Sequence, residues 1–363
     1  MATDATPSPV DLLGTVPDEL VRALSAHFLA RGEPAYRVQQ VLHWVYQGDA
    51  VDVDGMTNLP ETERTALGKA FSLREPEART VSTSSDGTVK HLWELADGEL
   101  VESVLIPTDD RLTLCLSSQA GCAMGCTFCA TGWAGFRRHL GAGEIVAQYR
   151  GAGRWARTHE MGPISNIVYM GMGEPLANRD AVHASLTILN QGYCVGARRI
   201  TVSTVGLVPG ILELAERPEQ FRLALSLHSP DSALRQELIP LEKRFPLPTV
   251  MQALEKFNRA GGKRITFEYT MIRGVNDDLV LAPKLADLAR SLHAFVNLIP
   301  FNPIPFQNWE PSTRERIAAF RETLEASGVA VAVRQPRGRD IDAACGQLRA
   351  TAMTDADVSS ESG

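Results

Sequence analysis

The sequence predicts an α/β fold built on a parallel sheet, preceded by a small helical domain and a β-hairpin. After residue 110, six strand-like runs are each followed by a helix-like run, and a seventh strand-like run comes last. Before residue 78, apolar residues recur at helical spacing, as in Val38, Val41 and Val45. Around Asp97-Gly98, apolar and polar residues alternate on both sides of a dipeptide suited to a tight hairpin turn.

The strand–helix pairs can be followed in chain order. The predicted strands are RLTLCLS, SNIVYMG, RRITVSTV, RLALSLH, RITFEYTMI, AFVNLIPF and the final VAVAVRQ. The helix-like runs between them are GEIVAQYR, DAVHASLTILN, PGILELAE, TVMQALEKFNRAGG, DLVLAPKLADLARSL and TRERIAAFRETLEASG. Such alternation predicts parallel strands, in either a partial barrel or an open doubly wound sheet. Both architectures bind ligands at the carboxyl ends of the strands.

Composition and pattern divide the chain into five segments. Residues 1–17 and the acidic tail 351–363 are small and polar, so we expect both to be disordered. Residues 18–78 are predicted to form the helical accessory domain, and residues 79–110 a β-hairpin extension. The strand–helix core is expected to span residues 111–350.

The overall composition excludes several classes of protein. With 44% hydrophobic and 22% charged residues, the chain is neither disordered nor a membrane protein. No apolar run approaches the roughly 18 residues of a membrane span, and the N-terminus lacks a secretory signal, so we expect a cytoplasmic protein. A net charge of -7 argues mildly against a nucleic-acid partner. Local basic clusters such as Arg334, Arg337 and Arg339 are more often solvated faces than phosphate sites.

Three cysteines lie in one glycine-containing loop directly after the first predicted strand. The segment GCAMGCTFCATG places Cys122, Cys126 and Cys129 at C-x3-C-x2-C spacing. Three thiolates can hold three irons of a [4Fe–4S] cluster, which leaves one iron open to chelate S-adenosylmethionine (SAM). The spacing also suits a tetrahedral zinc site with His139 or Cys115 as fourth ligand. The strand–helix context favours the cluster.

Polar residues follow the later strands at the positions where cofactor contacts should gather. Each would be weak evidence alone, because a serine or asparagine after a strand usually caps the next helix. Their common position predicts a cofactor site formed by Gly173, Glu174, Ser203, Ser226, Leu227, His228 and Asn302.

Together these motifs resemble the radical SAM superfamily, and within it the RlmN/Cfr family of RNA adenine methyltransferases, most of all its RlmN branch. The resemblance covers about residues 18 to 350 and is carried by TLCLSSQAGCAMGCTFCATG, NIVYMGMGEPL, SLHSPD, LIPFNP and RGRDIDAACGQL. It implies a partial (β/α)6 barrel with one [4Fe–4S] cluster and SAM as cofactors. It also implies that Cys122, Cys126 and Cys129 bind the iron and that the strand-end residues contact SAM.

The resemblance further implies methylation at C2 of an adenine in 23S rRNA, and in tRNA, with two SAM per turnover. One SAM methylates Cys345, and the second yields a 5′-deoxyadenosyl radical that removes hydrogen from that methyl group. The resulting methylene adds to adenine, and Glu102 accepts the base proton. Cys115 then attacks the Cys345 sulfur, which releases the product and leaves a disulfide for an outside reductant.

Several alternatives stay open. Methylation at adenine C8, the Cfr type, would use every residue named above. A radical activase would need the cluster loop but neither Cys115 nor Cys345, and a zinc-bound RNA-binding module would need no electron source. Taken alone, Glu102 could equally be a solvated strand carboxylate, and Cys345 a buried small hydrophobe.

The family also implies partners. We expect 23S rRNA and tRNA as substrates, a flavodoxin- or ferredoxin-like electron donor, no membrane and a monomeric enzyme. The RNA contacts expected by family analogy in the N-terminal helices are Arg31, Arg37 and Lys69.

Overall fold

Helices and strands alternate along most of the chain. The structure, a computed structural model, describes residues 8–261 and 263–349. The helices are α1 Pro17–Ala30, α2 Tyr36–Tyr46, α3 Glu61–Ala70, α4 Ala130–Ala134, α5 Ala142–Thr158, α6 Arg179–Thr187, α7 Val208–Glu216, α8 Ser232–Leu238, α9 Leu247–Arg259, α10 Leu281–Ser291 and α11 Arg314–Ala326. The strands are β1 Val10–Asp11, β2 Phe71–Ser72, β3 Glu77–Thr83, β4 Val89–Glu94, β5 Leu100–Thr108, β6 Arg111–Cys115, β7 Gln119–Gly121, β8 Phe136–His139, β9 Ile164–Tyr169, β10 Ile200–Thr204, β11 Arg222–Ser226, β12 Ile265–Met271, β13 Phe295–Pro300 and β14 Val331–Val333.

The main sheet has ten strands in the order β14-β13-β12-β11-β10-β9-β6-β5-β4-β3. From β6 to β14, each strand pairs in parallel with its neighbour. Their order in space follows their order in the chain, so every crossover steps in the same direction. A doubly wound sheet would reverse direction at a switch point. The arrangement therefore confirms the predicted partial barrel and excludes the doubly wound alternative.

The predicted hairpin continues the same sheet. β4 and β5 pair antiparallel, with Glu94 opposite Leu100, and Gly98 in the turn between them has φ +84. That left-handed conformation is one that glycine adopts without steric cost. β5 then pairs antiparallel with β6, the first strand of the parallel series. The segment predicted as an extension is thus an integral edge of the main sheet.

The chain divides into two compact units whose boundaries differ from the predicted domains. Among the described residues, the first unit holds those up to Glu77 together with Leu140–Pro163 and Asp180–Gly196, and the second holds the others. The helical domain expected at residues 18–78 therefore also includes α5. The physical reason is Arg150, a buried α5 side chain that donates hydrogen bonds to the Trp44 carbonyl at 3.1 Å and the Gly48 carbonyl at 3.3 Å.

Disorder was expected for residues 1–17, and this expectation is wrong for the segment from β1 onward. β1 pairs in parallel with β2, and Leu12 and Leu13 after it are 0% and 1% exposed. Burial of two leucines offsets the loss of chain entropy that would otherwise favour disorder. Residues 1–7 and the acidic tail 351–363 lie outside the described residues.

The interior of the second unit is formed by its parallel strands. Ile167, Val202, Leu223, Phe267 and Leu298 come from five successive strands, and all are fully buried. Such apolar runs are typical of parallel strands that helices cover. Within the described residues, no helix combines the length and apolar character that crossing a membrane requires.

Candidate active site

A cavity opens at the carboxyl ends of the parallel strands of the second unit. It encloses about 930 Å³ of space between protein atoms, its mouth included. Ten of the thirteen predicted site residues line it: Cys122, Cys126, Cys129, Gly173, Glu174, Ser203, Ser226, His228, Asn302 and Cys345. The structure thus brings together residues that are widely separated in the sequence.

The cysteine loop is held closed at its base. β7 and β8 pair antiparallel, and the Cys122 N–H donates to the Gly135 carbonyl at 2.9 Å. Gly121 has φ +72, and a Cβ atom there would lie 1.9 Å from the Gly135 oxygen. Only glycine fits this close approach. The loop therefore leaves and re-enters the fold at one point, with its three cysteines between.

The thiols of the loop are better suited to binding iron than to carrying an uncompensated negative charge. Burial raises the pKa of Cys122 to about 12, and burial together with the neighbouring cysteines raises the pKa of Cys126 well above its ordinary value. Thiolates at these positions need the positive charge of bound iron to offset burial. Among residues 8–261 and 263–349, no three His, Cys, Asp or Glu side chains are arranged to hold a single metal ion. An iron–sulfur cluster does not require three side chains around one metal ion, because each of its irons takes one thiolate.

The loop after β9 places Glu174 in the cavity. Its two carboxylate oxygens accept hydrogen bonds from the backbone N–H groups of Leu176 at 3.0 Å and Val205 at 2.9 Å. Burial raises the pKa of Glu174 to about 7. A ligand ammonium group beside this carboxylate would favour its charged form. The carboxylate is thus both fixed in place and suited to a cationic partner.

His228 enters the cavity as a neutral hydrogen-bond donor. Its Nδ1 accepts from the backbone N–H of Thr270 at 2.9 Å, so the ring proton is on Nε2. Burial lowers the pKa of His228 to about 3, which keeps the ring uncharged at physiological pH. The residue has φ 55, a left-handed conformation that is uncommon outside glycine.

Cys345 and Cys115 differ in their exposure to the cavity. Cys345 is exposed and lines the cavity, whereas Cys115 on β6 is buried and does not line it. The Asn302 amide donates to the Cys345 carbonyl at 3.1 Å. Burial and, to a lesser extent, the neighbouring Cys345 raise the pKa of Cys115 to about 12. The two sulfurs are thus close enough to interact, with Cys345 on the open side.

Glu102 is buried rather than solvated, so the interpretation as a solvated carboxylate is wrong. Its carboxylate pairs with Lys90 Nζ at 3.0 Å and accepts from the Arg349 backbone N–H at 2.8 Å. Val104, two residues along β5, lies opposite Cys115. Because side chains two apart share a face, Glu102 lies on the face of the sheet that carries Cys115, about 7 Å further along. It does not line the cavity.

Leu227 is the third predicted residue outside the cavity lining. Its side chain is 0% exposed, and its backbone N–H donates to the Glu268 carbonyl at 3.0 Å. Its neighbours Ser226 and His228 both line the cavity.

Sequence reasoning missed two charged residues in the cavity wall, Glu268 and Arg334. Glu268 accepts from the Asn297 amide at 2.9 Å, and its second oxygen lies 3.9 Å from Arg334. The Arg334 guanidinium also lies close enough to Cys345 to stabilise a thiolate there and so counteracts the effect of burial on the pKa of Cys345. Glu268 lies inside the apolar strand RITFEYTMI, and this position could have indicated a charged partner in the folded chain, because a buried strand carboxylate requires one.

Comparisons with known proteins agree with this geometry. The family model of the Radical SAM superfamily matches residues 116–282, and that of the Ribosomal RNA large subunit methyltransferase N-terminal domain matches residues 12–73. The chain is 49% identical over 341 residues to a Gemmatimonas aurantiaca protein named "Probable dual-specificity RNA methyltransferase RlmN", covering 93% of each chain. It is 43% identical over 329 residues to a Geobacillus kaustophilus protein of the same name, covering 90% of each.

A solved structure agrees over nearly the whole chain. The crystal structure of a radical SAM methyltransferase from Sphaerobacter thermophilus matches with a TM-score of 0.89 and 45% sequence identity. The match covers 94% of the present chain and 100% of the other.

Proposed function

The chain belongs to the RlmN family of radical SAM methyltransferases, and on that premise we propose that it methylates C2 of an adenine in 23S rRNA and in tRNA. Members of the superfamily use a [4Fe–4S] cluster and SAM. One observation carries the proposal. Cys345, near the end of the described chain, opens into the same cavity as Cys122, Cys126 and Cys129.

The residues of the cavity fit both cofactors. Cys122, Cys126 and Cys129 would hold three irons, and Glu174 would receive the amino group of SAM. The other predicted SAM contacts in the cavity wall are Gly173, Ser203, Ser226, His228 and Asn302. Once bound and reduced, these cofactors supply a methyl group and an organic radical that can remove hydrogen from a methyl thioether.

Cys345 is the methyl carrier in this proposal. Its exposed thiol becomes S-methylcysteine, that methyl group loses one hydrogen atom to the radical, and the carbon then bonds to adenine C2 while still attached to the Cys345 sulfur. The unpaired electron left on the base would return to the cofactors as the C2 proton leaves. Cys115, buried beside Cys345, attacks the Cys345 sulfur after the base proton has left. The attack breaks the sulfur–carbon bond and forms a Cys115–Cys345 disulfide, and the freed carbon takes up a proton to complete the methyl group of the released RNA. An external reductant returns the disulfide to two thiols. Glu102, on the face of the sheet that carries Cys115, is proposed as the proton acceptor.

The substrate must present an unstacked adenine, because the cavity lies at the strand ends inside the protein. The matched N-terminal domain supports a role for residues 18–78 in RNA contact. There, Arg31 pairs with Glu63 at 2.7 Å and Arg37 with Glu33 at 3.2 Å, whereas Lys69 is exposed. A flavodoxin- or ferredoxin-like protein is proposed as electron donor, and the enzyme is proposed to act as a cytoplasmic monomer.

Product mapping tests the site of methylation. Anaerobically reconstituted enzyme would receive SAM, a strong reductant and transcripts of 23S rRNA fragments or tRNA, and the RNA would be digested to nucleosides. We expect mass spectrometry to identify 2-methyladenosine from both substrates. Release of 8-methyladenosine would instead establish the Cfr-type activity, and unmodified RNA would contradict both.

Cysteine variants test the carrier. We expect Cys345→Ala to abolish methyl transfer, and Cys115→Ala to leave protein covalently joined to RNA, because the thioether link can form but cannot be released. Cys194→Ala is the matched control, since Cys194 is exposed and lies outside the cavity. Denaturing gel electrophoresis detects the adduct. Normal release of methylated RNA by both cavity variants would contradict the two-cysteine scheme.

A further inference from the structure

A second cavity adjoins the active site in the second unit. It encloses about 1140 Å³ of space between protein atoms, its mouth included. Its walls are the carboxyl ends of β13 and β14, the N-terminal half of α11 and the segment after β14. It therefore lies at the same end of the sheet as the active site, where α/β proteins bind ligands.

The second cavity is strongly basic. Arg314, Arg321, Arg334 and Arg339 line it, and no carboxylate does, although the chain has a net charge of -7. Among the described residues, Arg314 makes no ion pair within 4 Å. Four guanidinium groups without a lining carboxylate repel one another and attract an anion.

The acidic groups nearby only partly offset these charges. Arg321 Nε lies 3.6 Å from a Glu325 carboxylate oxygen and, although buried, makes no hydrogen bond in the described part of the chain. Arg334 NH1 lies 3.9 Å from Glu268. Both separations are longer than a charge-assisted hydrogen bond, so these arginines retain donors for another partner.

Two arginines link this cavity to the active site. Arg334 lines both cavities, and Cys345 lines the active site beside it. Arg339 Nε donates to Asn302 Oδ1 at 2.7 Å, and Asn302 lines the active site. One layer of side chains thus separates the two cavities. A group bound in the basic cavity is therefore adjacent to whatever occupies the active site.

We propose that the basic cavity binds the RNA phosphodiester backbone next to the adenine being methylated. A nucleotide whose base enters the active site carries a phosphate on each side of its sugar, so a flanking phosphate must lie just outside. The planar guanidinium fork matches phosphate geometry. Arg314 is the first residue of α11, Arg321 lies about two helical turns further along it, and both line the basic cavity but not the active site.

The inference rests on the proposed function, because it takes RNA as the substrate. The test compares the Arg314→Gln/Arg321→Gln enzyme with wild type and with an Arg259→Gln/Arg290→Gln control. Arg259 and Arg290 are 77% and 55% exposed and line neither cavity. Binding of a fluorescein-labelled tRNA transcript to each reconstituted enzyme would be measured by anisotropy from 50 to 200 mM KCl.

We expect the cavity variant to bind RNA at least tenfold more weakly than wild type, and the control to stay within twofold. Each lost phosphate contact should also reduce the slope of log Kd against log salt by about 0.7 to 0.9. KM for RNA should rise while kcat changes little, since Arg314 and Arg321 do not line the active site. Iron content equal to wild type shows that the variant is folded. If the double variant fails that check, Arg314→Gln alone, at an exposed residue, provides the same comparison.

An unchanged Kd and salt slope in a folded variant would overturn the inference even if the enzyme methylates RNA normally. Slower reduction of the cluster by flavodoxin with unchanged RNA binding would also overturn it, and would assign the cavity to an acidic protein partner. Failure of wild type to methylate any RNA would instead refute the proposed function. The three results are distinguishable because RNA binding, cluster reduction and methylation are measured separately.

Discussion

Solvent exposure separates the proposed roles of Cys345 and Cys115. Cys345 faces the cavity and can be reached by a cofactor and a base, whereas Cys115 is buried and can be reached by little except Cys345. A resolving thiol must attack only its partner sulfur, and burial prevents competing oxidation. The high pKa that burial gives Cys115 means that a proton must leave before it attacks.

Gly173 provides a test at a single backbone position. It has φ +100, and a Cβ atom there would lie 2.5 Å from Gln119 Cβ. Gln119 in turn accepts the Glu174 backbone N–H at 2.8 Å. Gly173→Ala should therefore cost about 1–3 kcal/mol in strain and displace Glu174, which weakens SAM binding about tenfold or more.

Isothermal titration of SAM into reconstituted protein measures the effect. Gly196→Ala is the control, because a Cβ atom there would meet nothing within 4 Å. Equal SAM affinity in the two variants would remove Glu174 and its loop from the proposed SAM site.

Sequence reasoning located most of the site because its signal is local. The spacing of Cys122, Cys126 and Cys129 identifies them in the sequence. Ser226 and Asn302 are identified by their position directly after a predicted strand. The burial of Glu102 and the partnership of Arg334 with Cys345 depend on segments that meet only in the folded chain. No local pattern contains that information, so the basic residues around Arg334 looked like a solvated face.

At the scale of elements, α5 shows how a helix can belong to a unit distant in sequence. It follows the cluster loop, yet Arg150 inserts among the carbonyl groups at the C-terminal end of α2 and pairs with Glu75. Unsatisfied carbonyls at a helix end attract a positive charge. The strand and helix patterns were predictable from local periodicity, whereas this assignment was not, because periodicity does not specify what a helix face packs against.

Arg150→Met tests this contact within the first unit. Removing one member of a buried ion pair leaves Glu75 and several carbonyls without that partner, although Arg154 still pairs with Glu75. We expect the free energy of unfolding to fall by roughly 3 kcal/mol. Arg157→Met is the control: Arg157 and Asp49 are 56% and 64% exposed, and such surface pairs contribute at most about 1 kcal/mol.

Urea unfolding followed by circular dichroism compares the two variants. A similar shift in midpoint for both would mean that Arg150 does not stabilise the first unit more than a surface arginine does.

For the whole molecule, the parallel sheet and its cavity organise the proposed chemistry. The parallel strands β6 and β9 to β14 end at one edge, and their loops carry the three cysteines proposed to hold the cluster, the predicted SAM contacts, Cys345 and the basic cavity. Net charge alone argued against an RNA partner, yet four arginines are concentrated beside the active site. The distribution of charge, rather than its sum, determines which surface can bind phosphate.

The central claim is that three thiolates hold an iron cluster with one iron open to SAM. The most direct test is to reconstitute the protein anaerobically, measure iron and sulfide, and assay SAM cleavage under strong reduction. We predict about four irons per chain, formation of 5′-deoxyadenosine, and loss of both in Cys126→Ala but not in Cys194→Ala. A colourless protein that binds no iron and forms no 5′-deoxyadenosine would contradict the account.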